Sequence, residues 1–227
     1  MYLDAYFFVV GGFDGYKRND IYRVQLFPVS QQVLQMQPVE EIAVPKIPAT
    51  ARDLENEIIY TPDVFKAMPI LRWQKVGSIG KKYTPRTGHE CIYYREKIYL
   101  FGGTDHDDRK NDLYSYDIFY SRWDKLLQQG DIPSPRSGAR GVAYKDCLYF
   151  FGGYSKQSGE YYNDLFRYDL DRKRWDSIET TGDKPSSRTD HSLVIYGSSL
   201  YVFGGYDGSK RYGDLLKCSI LKNYKWK

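Results

Sequence analysis

Four runs of apolar residues each stop at a pair of glycines: Phe7 to Val10 before Gly11-Gly12, Ile98 to Phe101 before Gly102-Gly103, Leu148 to Phe151 before Gly152-Gly153, and Leu200 to Phe203 before Gly204-Gly205. Short unbroken apolar runs of this kind predict strands covered on both faces. A second pattern begins at an aspartate and alternates. After Asp20, Asp112, Asp164 and Asp214, the pairs Tyr22/Val24, Tyr114/Tyr116, Phe166/Tyr168 and Leu216/Cys218 share one side, while Arg23, Ser115, Arg167 and Lys217 point to the other. That is the period of a strand with one face toward a core. Two further strands are predicted in each unit, one just ahead of the glycine run (His89 to Tyr94, His191 to Tyr196) and one carrying a tryptophan.

These elements recur at a fixed period. Trp73, Trp123, Trp175 and Trp226 are spaced by 50, 52 and 51 residues, and each of the first three is followed after 13 residues by an arginine, namely Arg86, Arg136 and Arg188. From that arginine to the first glycine of the pair is 16 residues in all three cases, whereas from glycine to tryptophan the count varies as 21, 23 and 22. Only one loop therefore changes length. Four short strands per repeat of about 50 residues is the pattern of propeller blades, which limit exposed sheet edges by packing face to face around a channel.

The glycine pairs, the Asn-Asp pairs (Asn19-Asp20, Asn111-Asp112, Asn163-Asp164), the tryptophans and Pro85-Arg86 and Pro135-Arg136 together resemble the kelch-repeat family. The resemblance covers nearly the whole chain. Arg86/His89 and Arg188/His191, with the long Trp-to-Arg connections, look most like the leucine-zipper-like regulator and host-cell-factor branch. It implies an all-β fold, a kelch β-propeller of four-stranded antiparallel blades, with about five repeats at 1–36, 37–78, 79–128, 129–180 and 181–227.

Two irregularities qualify this division. Gly12 and Gly103 are 91 residues apart with no glycine pair between them, so either a long insertion or a decayed repeat lies there. The polar and apolar alternation of Asp63 to Ala67, followed by Trp73, favours a decayed second repeat whose front half is broken by Pro45, Pro48 and Pro62. Projecting 16 residues back from Gly11 places the first repeat's arginine before Met1, so that repeat is expected to lack its first strand. An incomplete blade has an open edge, and pairing with other chains is expected there.

Composition narrows the function. The formal charge of +4, from 33 basic and 29 acidic residues, gives no strong footprint for nucleic acid or for a membrane surface, and neither partner is expected. Aromatics are 17% of the chain, with 23 tyrosines, in keeping with strands. The odd set Cys91, Cys147 and Cys218, without a C-x-x-C pair, predicts inert core thiols in a reducing, intracellular compartment, cytoplasmic or nuclear. No helix or Lys-Ser/Thr follows the glycine pairs as a phosphate cradle would require. His89 and His191 occupy equivalent repeat positions, which predicts a structural role, and Asp105 to Asp108 lacks the glycine and terminal glutamate of an EF-hand loop. No catalytic residue, metal ligand or cofactor is assigned.

The resemblance implies that the loops joining second to third strands, and those joining consecutive blades, open on one binding face. On the variable loops this sequence places Tyr16, Arg18, Arg109, Tyr154, Tyr161, Arg211 and Tyr212. Tyrosine and arginine bury large area while keeping a polar handle. These seven are the candidate contacts for a protein or peptide partner, with an acidic segment as the expected ligand, and substrate-recognition adaptor and scaffold are the implied roles. Against this stands a metal-dependent enzyme, because copper-radical oxidases and iron-dependent specifier proteins also resemble kelch propellers.

Overall fold

The computed structural model describes residues 5–26, 73–106 and 108–227, and its described residues form strands with a single turn of 3-10 helix at Ile220–Lys222. By compactness the chain divides into two units, residues 1–9 with 22–75 and residues 10–21 with 76–227.

The first sheet has the order β1 (Ala5–Phe13), β2 (Lys17–Leu26), β3 (Trp73–Val76). Within the smaller unit the Arg23 Nε donates to Gln74 Oε1 at 3.0 Å, and Phe7 meets Trp73 edge-on at 6.1 Å. Trp73 thus pairs as the outer strand of the first sheet, and the described residues form four blade sheets. The remainder of the expected 37–78 repeat, up to residue 72, lies outside the described residues. No strand lies inward of β1 among the described residues.

Three five-stranded sheets follow, all built alike. The second contains β4 (Ile79–Gly80), β5 (Glu90–Tyr94), β6 (Lys97–Phe101), β9 (Leu113–Asp117) and β10 (Arg122–Lys125), in the order β4-β10-β9-β6-β5; its long loop carries a ribbon of β7 (Thr104–Asp105) and β8 (Asp108–Arg109). The third runs β11 (Gln129–Gly130), β15 (Arg174–Ile178), β14 (Glu160–Asp169), β13 (Cys147–Ser155), β12 (Arg140–Tyr144), and the fourth β16 (Thr181–Gly182), β20 (Lys225–Trp226), β19 (Leu215–Ser219), β18 (Ser199–Phe203), β17 (Ser192–Tyr196). Each is a four-stranded antiparallel blade plus a two-residue edge strand lent by the connection from the preceding blade, paired parallel to the tryptophan strand.

Of the glycine-run strands, β6 and β13 are covered on both faces, whereas β1 leaves Phe7, Val9 and Phe13 exposed and β18 leaves Phe203 exposed. Along β13, Leu148 and Phe150 join a core with Phe101, Tyr168 and Trp175, while Tyr149 and Phe151 join the next core with Val202, Cys218 and Trp226. Trp123, Trp175 and Trp226 are fully buried, and each buried side chain of this size contributes roughly 1.5–3 kcal/mol or more. Of the three cysteines Cys218 is buried, Cys147 half-buried and Cys91 exposed, so the expectation of core thiols fails at Cys91, which faces away from its buried neighbour Ile92. No helix among the described residues is long and apolar enough to cross a membrane.

Candidate functional site

The arginine shared by the repeats builds the loop face. Arg86, Arg136 and Arg188 are almost fully buried. In each, Nη1 donates to the carbonyl of the first paired glycine (Gly102, Gly152, Gly204) at 2.9–3.1 Å, and the guanidinium forks onto Asp112, Asp164 or Asp214 with shortest contacts of 2.5, 2.6 and 2.6 Å. A bidentate, charge-assisted pair of this kind fixes both partners. It ties the entry of each blade to the start of its third strand.

Consecutive blades are tied through the same segments. The Arg136 N–H donates to the Lys110 carbonyl and the Arg188 N–H to the Tyr162 carbonyl, while the Nδ2 groups of Asn111 and Asn163 donate forward to the Pro133 and Pro185 carbonyls at 3.0 Å. In every Asn-Asp pair of these two blades, asparagine thus holds the following blade and aspartate its own arginine. At Gly102 and Gly152 the first glycine of the pair is required by close approach: φ is +67° and +68°, and a Cβ would stand 2.7 and 2.6 Å from the next blade's arginine carbonyl. His89 and His191 seat against the preceding blade, His89 through Nε2 at 3.0 Å from the Val10 carbonyl and His191 edge-on to Phe151 at 5.4 Å.

These anchors place the aromatic loop residues. Ser137, next to Arg136, exchanges two backbone hydrogen bonds with Tyr154 (3.0 and 2.9 Å), and Thr189, next to Arg188, does the same with Tyr206 (2.8 and 3.0 Å). The rings then form one row across three hairpins, and Arg109, Tyr154 and Tyr161, expected on loops, lie in β8, β13 and β14, where Tyr154 and Tyr161 pair across the extended β13–β14 ribbon. The Arg109 guanidinium lies 5.2 Å from the Tyr154 ring, Tyr154 is 4.6 Å from Tyr161, Tyr161 meets Tyr206 edge-on at 6.1 Å, and the Arg211 guanidinium lies 5.5 Å from Tyr206. Gly208, at φ +97°, makes room for Tyr161, since a Cβ there would stand 2.8 Å from its ring. Burial pushes the Tyr161 hydroxyl's pKa up, with its tyrosine neighbours adding to the shift, so it stays a proton donor.

Of the seven sequence-predicted contacts, the structure brings Arg109, Tyr154, Tyr161 and Arg211 into this row. Tyr212 stands beside it with both ends engaged: its ring covers the buried Arg188 at 4.2 Å and its hydroxyl donates to Asp207 at 2.5 Å. That hydrogen bond and the N–H groups of Lys210 and Ser209 hold the Asp207 carboxyl far below the usual carboxylate range. Tyr16 and Arg18 are not in the row. Tyr16 is 74% exposed, and Arg18 forks onto Asp14 at 2.8 and 2.9 Å.

Tyr206 was missed by sequence reasoning, although it follows its glycine pair as Tyr154 does. A recess of about 520 Å³ opens beside it, lined by Asp190, Ser192, Phe203, Tyr206, Arg211 and Tyr212. Asp105 is committed elsewhere, accepting from Thr84 at 2.5 Å and pairing with Lys110 at 2.9 Å. No three of the described His, Cys, Asp and Glu residues come together as metal ligands would.

Comparison with known proteins matches residues 63–227 to the KLHDC2/KLHL20/DRC7 Kelch-repeats domain. The chain belongs to the kelch-repeat family, and its fold is the β-propeller of that family. It is 38% identical over 135 residues to mouse Leucine-zipper-like transcriptional regulator 1, covering 57% of this chain and 16% of that protein. It is 32% identical over 138 residues to human Host cell factor 2, covering 54% and 17%, and 30% identical over 157 residues to rat Rab9 effector protein with kelch motifs, covering 62% and 42%. The chain therefore spans less than half of each of these relatives.

Proposed function

We propose that this chain is a non-catalytic protein-binding module that holds a short acidic segment of a partner on its loop face, acting inside the cell as the recognition element of a larger assembly. The observation that carries this reading is the unbroken row from Arg109 to Arg211 across three hairpins. Among the described residues neither Arg109 nor Arg211 has a carboxylate within ion-pairing distance, in contrast to Arg18, Arg86, Arg136 and Arg188. Tyrosine faces flanked by uncompensated guanidinium groups suit a ligand that combines apolar surface with negative charge.

Proteins similar to this chain include one named as a Rab9 effector, which lends support to a protein partner as the class of ligand. The metal-dependent enzyme reading has no observation in its favour: the half-buried His89 is held by the Val10 carbonyl and the buried His191 packs edge-on against Phe151.

The test is selection of peptides from a random displayed library against the purified chain, followed by calorimetry with the Arg211→Glu variant. Charge reversal should weaken the selected acidic peptide about tenfold or more. Unchanged affinity in a variant that melts like the parent would defeat the proposal.

A further inference from the structure

The row has two cationic ends, and their separation bears on the shape of the ligand. We infer that the partner segment is bipartite: two carboxylate side chains no more than about six residues apart, on either side of an apolar core, in an extended conformation. This rests on the binding site proposed above and adds a spacing rule to it.

Arg109 and Arg211 come from different blades, and each guanidinium lies against the outer tyrosine on its own side of the row. The Arg109 Nε–H is buried and has no acceptor among the described residues, so a ligand would meet this guanidinium through its terminal N–H groups. Arg211 is exposed at the rim of the recess. Following the separations of 5.2, 4.6, 6.1 and 5.5 Å between them gives a path of at most about 21 Å. An extended chain advances about 3.3 Å per residue, so carboxylates that reach both ends are at most about six residues apart.

The middle of the row fits an apolar core on an extended backbone. The Tyr154 and Tyr161 rings are tilted by 34° and Tyr161 and Tyr206 by 86°, which leaves clefts between rings and not one flat surface. Among the described residues no group engages the hydroxyls of Tyr154 and Tyr161, whereas those of Tyr206 and Tyr212 donate to the Gly208 carbonyl and to Asp207. An extended segment without internal hydrogen bonds offers free carbonyls to such donors.

The probe is a set of fluorescein-labelled peptides with one glutamate at each end of a core of Pro, Tyr and Ala, the glutamate separation running from two to ten residues. Fluorescence anisotropy with the full chain should show the tightest binding at a separation of no more than about six residues and a fall beyond it, and changing either glutamate to glutamine should weaken it about five- to tenfold. Arg109→Gln should abolish the effect of changing one glutamate and Arg211→Gln the effect of changing the other. Each variant is first matched to the parent in its melting curve, and Arg109→Lys and Arg211→Lys provide a second pair that keeps the charge.

Affinity that ignores separation, or two glutamates that both couple to one arginine, would overturn the spacing rule. If Tyr161→Ala or Arg211→Glu still weakens binding in that case, the site itself stands. If no peptide binds, or binding survives all of these substitutions, both the rule and the site are wrong.

Discussion

Trp123, Trp175 and Trp226 hold one repeat position and are equally buried, yet Trp175 alone has a partner for its indole N–H, the Gln128 side-chain oxygen at 2.8 Å. The residues equivalent to Gln128 are Ser78 and Thr180, two positions before Gly80 and Gly182. Their hydroxyls are buried without partners, as are the Trp123 and Trp226 Nε1 atoms. The short side chains fall short of a ring that the longer amide reaches. Thr180→Gln is therefore expected to stabilise the protein by about 1 kcal/mol and Gln128→Thr to destabilise it by a similar amount, because a satisfied buried donor replaces an orphan or the reverse. Thermal unfolding checks both, with shifts of roughly 2–4 °C for a chain of this size. A lowered melting temperature for Thr180→Gln together with no change for Gln128→Thr would refute the pairing.

At the scale of elements, the edge strands β4, β11 and β16 are the feature that the spacing concealed. Gly80, Gly130 and Gly182 each follow a tryptophan by seven residues, a regularity present in the sequence, but a glycine in a connection also reads as ordinary loop. The structure shows what fixes it: φ is +79° at Gly130, and a Cβ would stand 2.3 Å from the Trp175 carbonyl of the next blade. Gly159, at φ +72°, has nothing within 4 Å. Gly159→Ala should cost only the left-handed backbone penalty, about 1–2 kcal/mol, whereas Gly130→Ala must also push β11 away from β15 and should cost at least twice that. Urea unfolding of the two variants makes the comparison, and equal losses would mean that the edge strand contributes nothing. The strand at Trp73 teaches the opposite lesson. Its tryptophan marked it as a strand, but a strand's own residues do not name its neighbour, and pairing with β2 places it in the first sheet.

For the whole molecule, the features legible in advance were the repeat elements themselves: the apolar strand running into each glycine pair, the alternating strand after each aspartate and the strand that carries each tryptophan. Of the row, the sequence offered Arg109, Tyr154, Tyr161 and Arg211 as residues beyond the glycine pairs, but not that β13 and β14 extend to carry Tyr154 and Tyr161, nor the order of the rings, which depends on contacts between hairpins of variable length. Propeller packing also predicts how the protein responds to acid. Burial against the preceding blade lowers the pKa of His89 to about 4 and of His191 to about 3, the latter with help from the charges of Arg140 and Arg188. Both are neutral when folded, while in the unfolded chain they take up a proton near pH 6.5. Stability is therefore full above that pH and falls as pH drops from about 6.5 toward 4, by about 1.4 kcal/mol per pH unit for each histidine once the unfolded form is protonated. Below about 4 the loss from His89 levels off. Carboxylates such as Asp214, held below their ordinary value by Arg188, then begin to contribute a further loss. Ala139 occupies the equivalent position in the third blade, so His191→Ala is a substitution this architecture accommodates. It should lower stability at pH 7.5 through lost packing, yet roughly halve the slope of unfolding free energy between pH 6 and 4.5. A slope equal to the parent's would show that the histidines between blades do not govern the acid response.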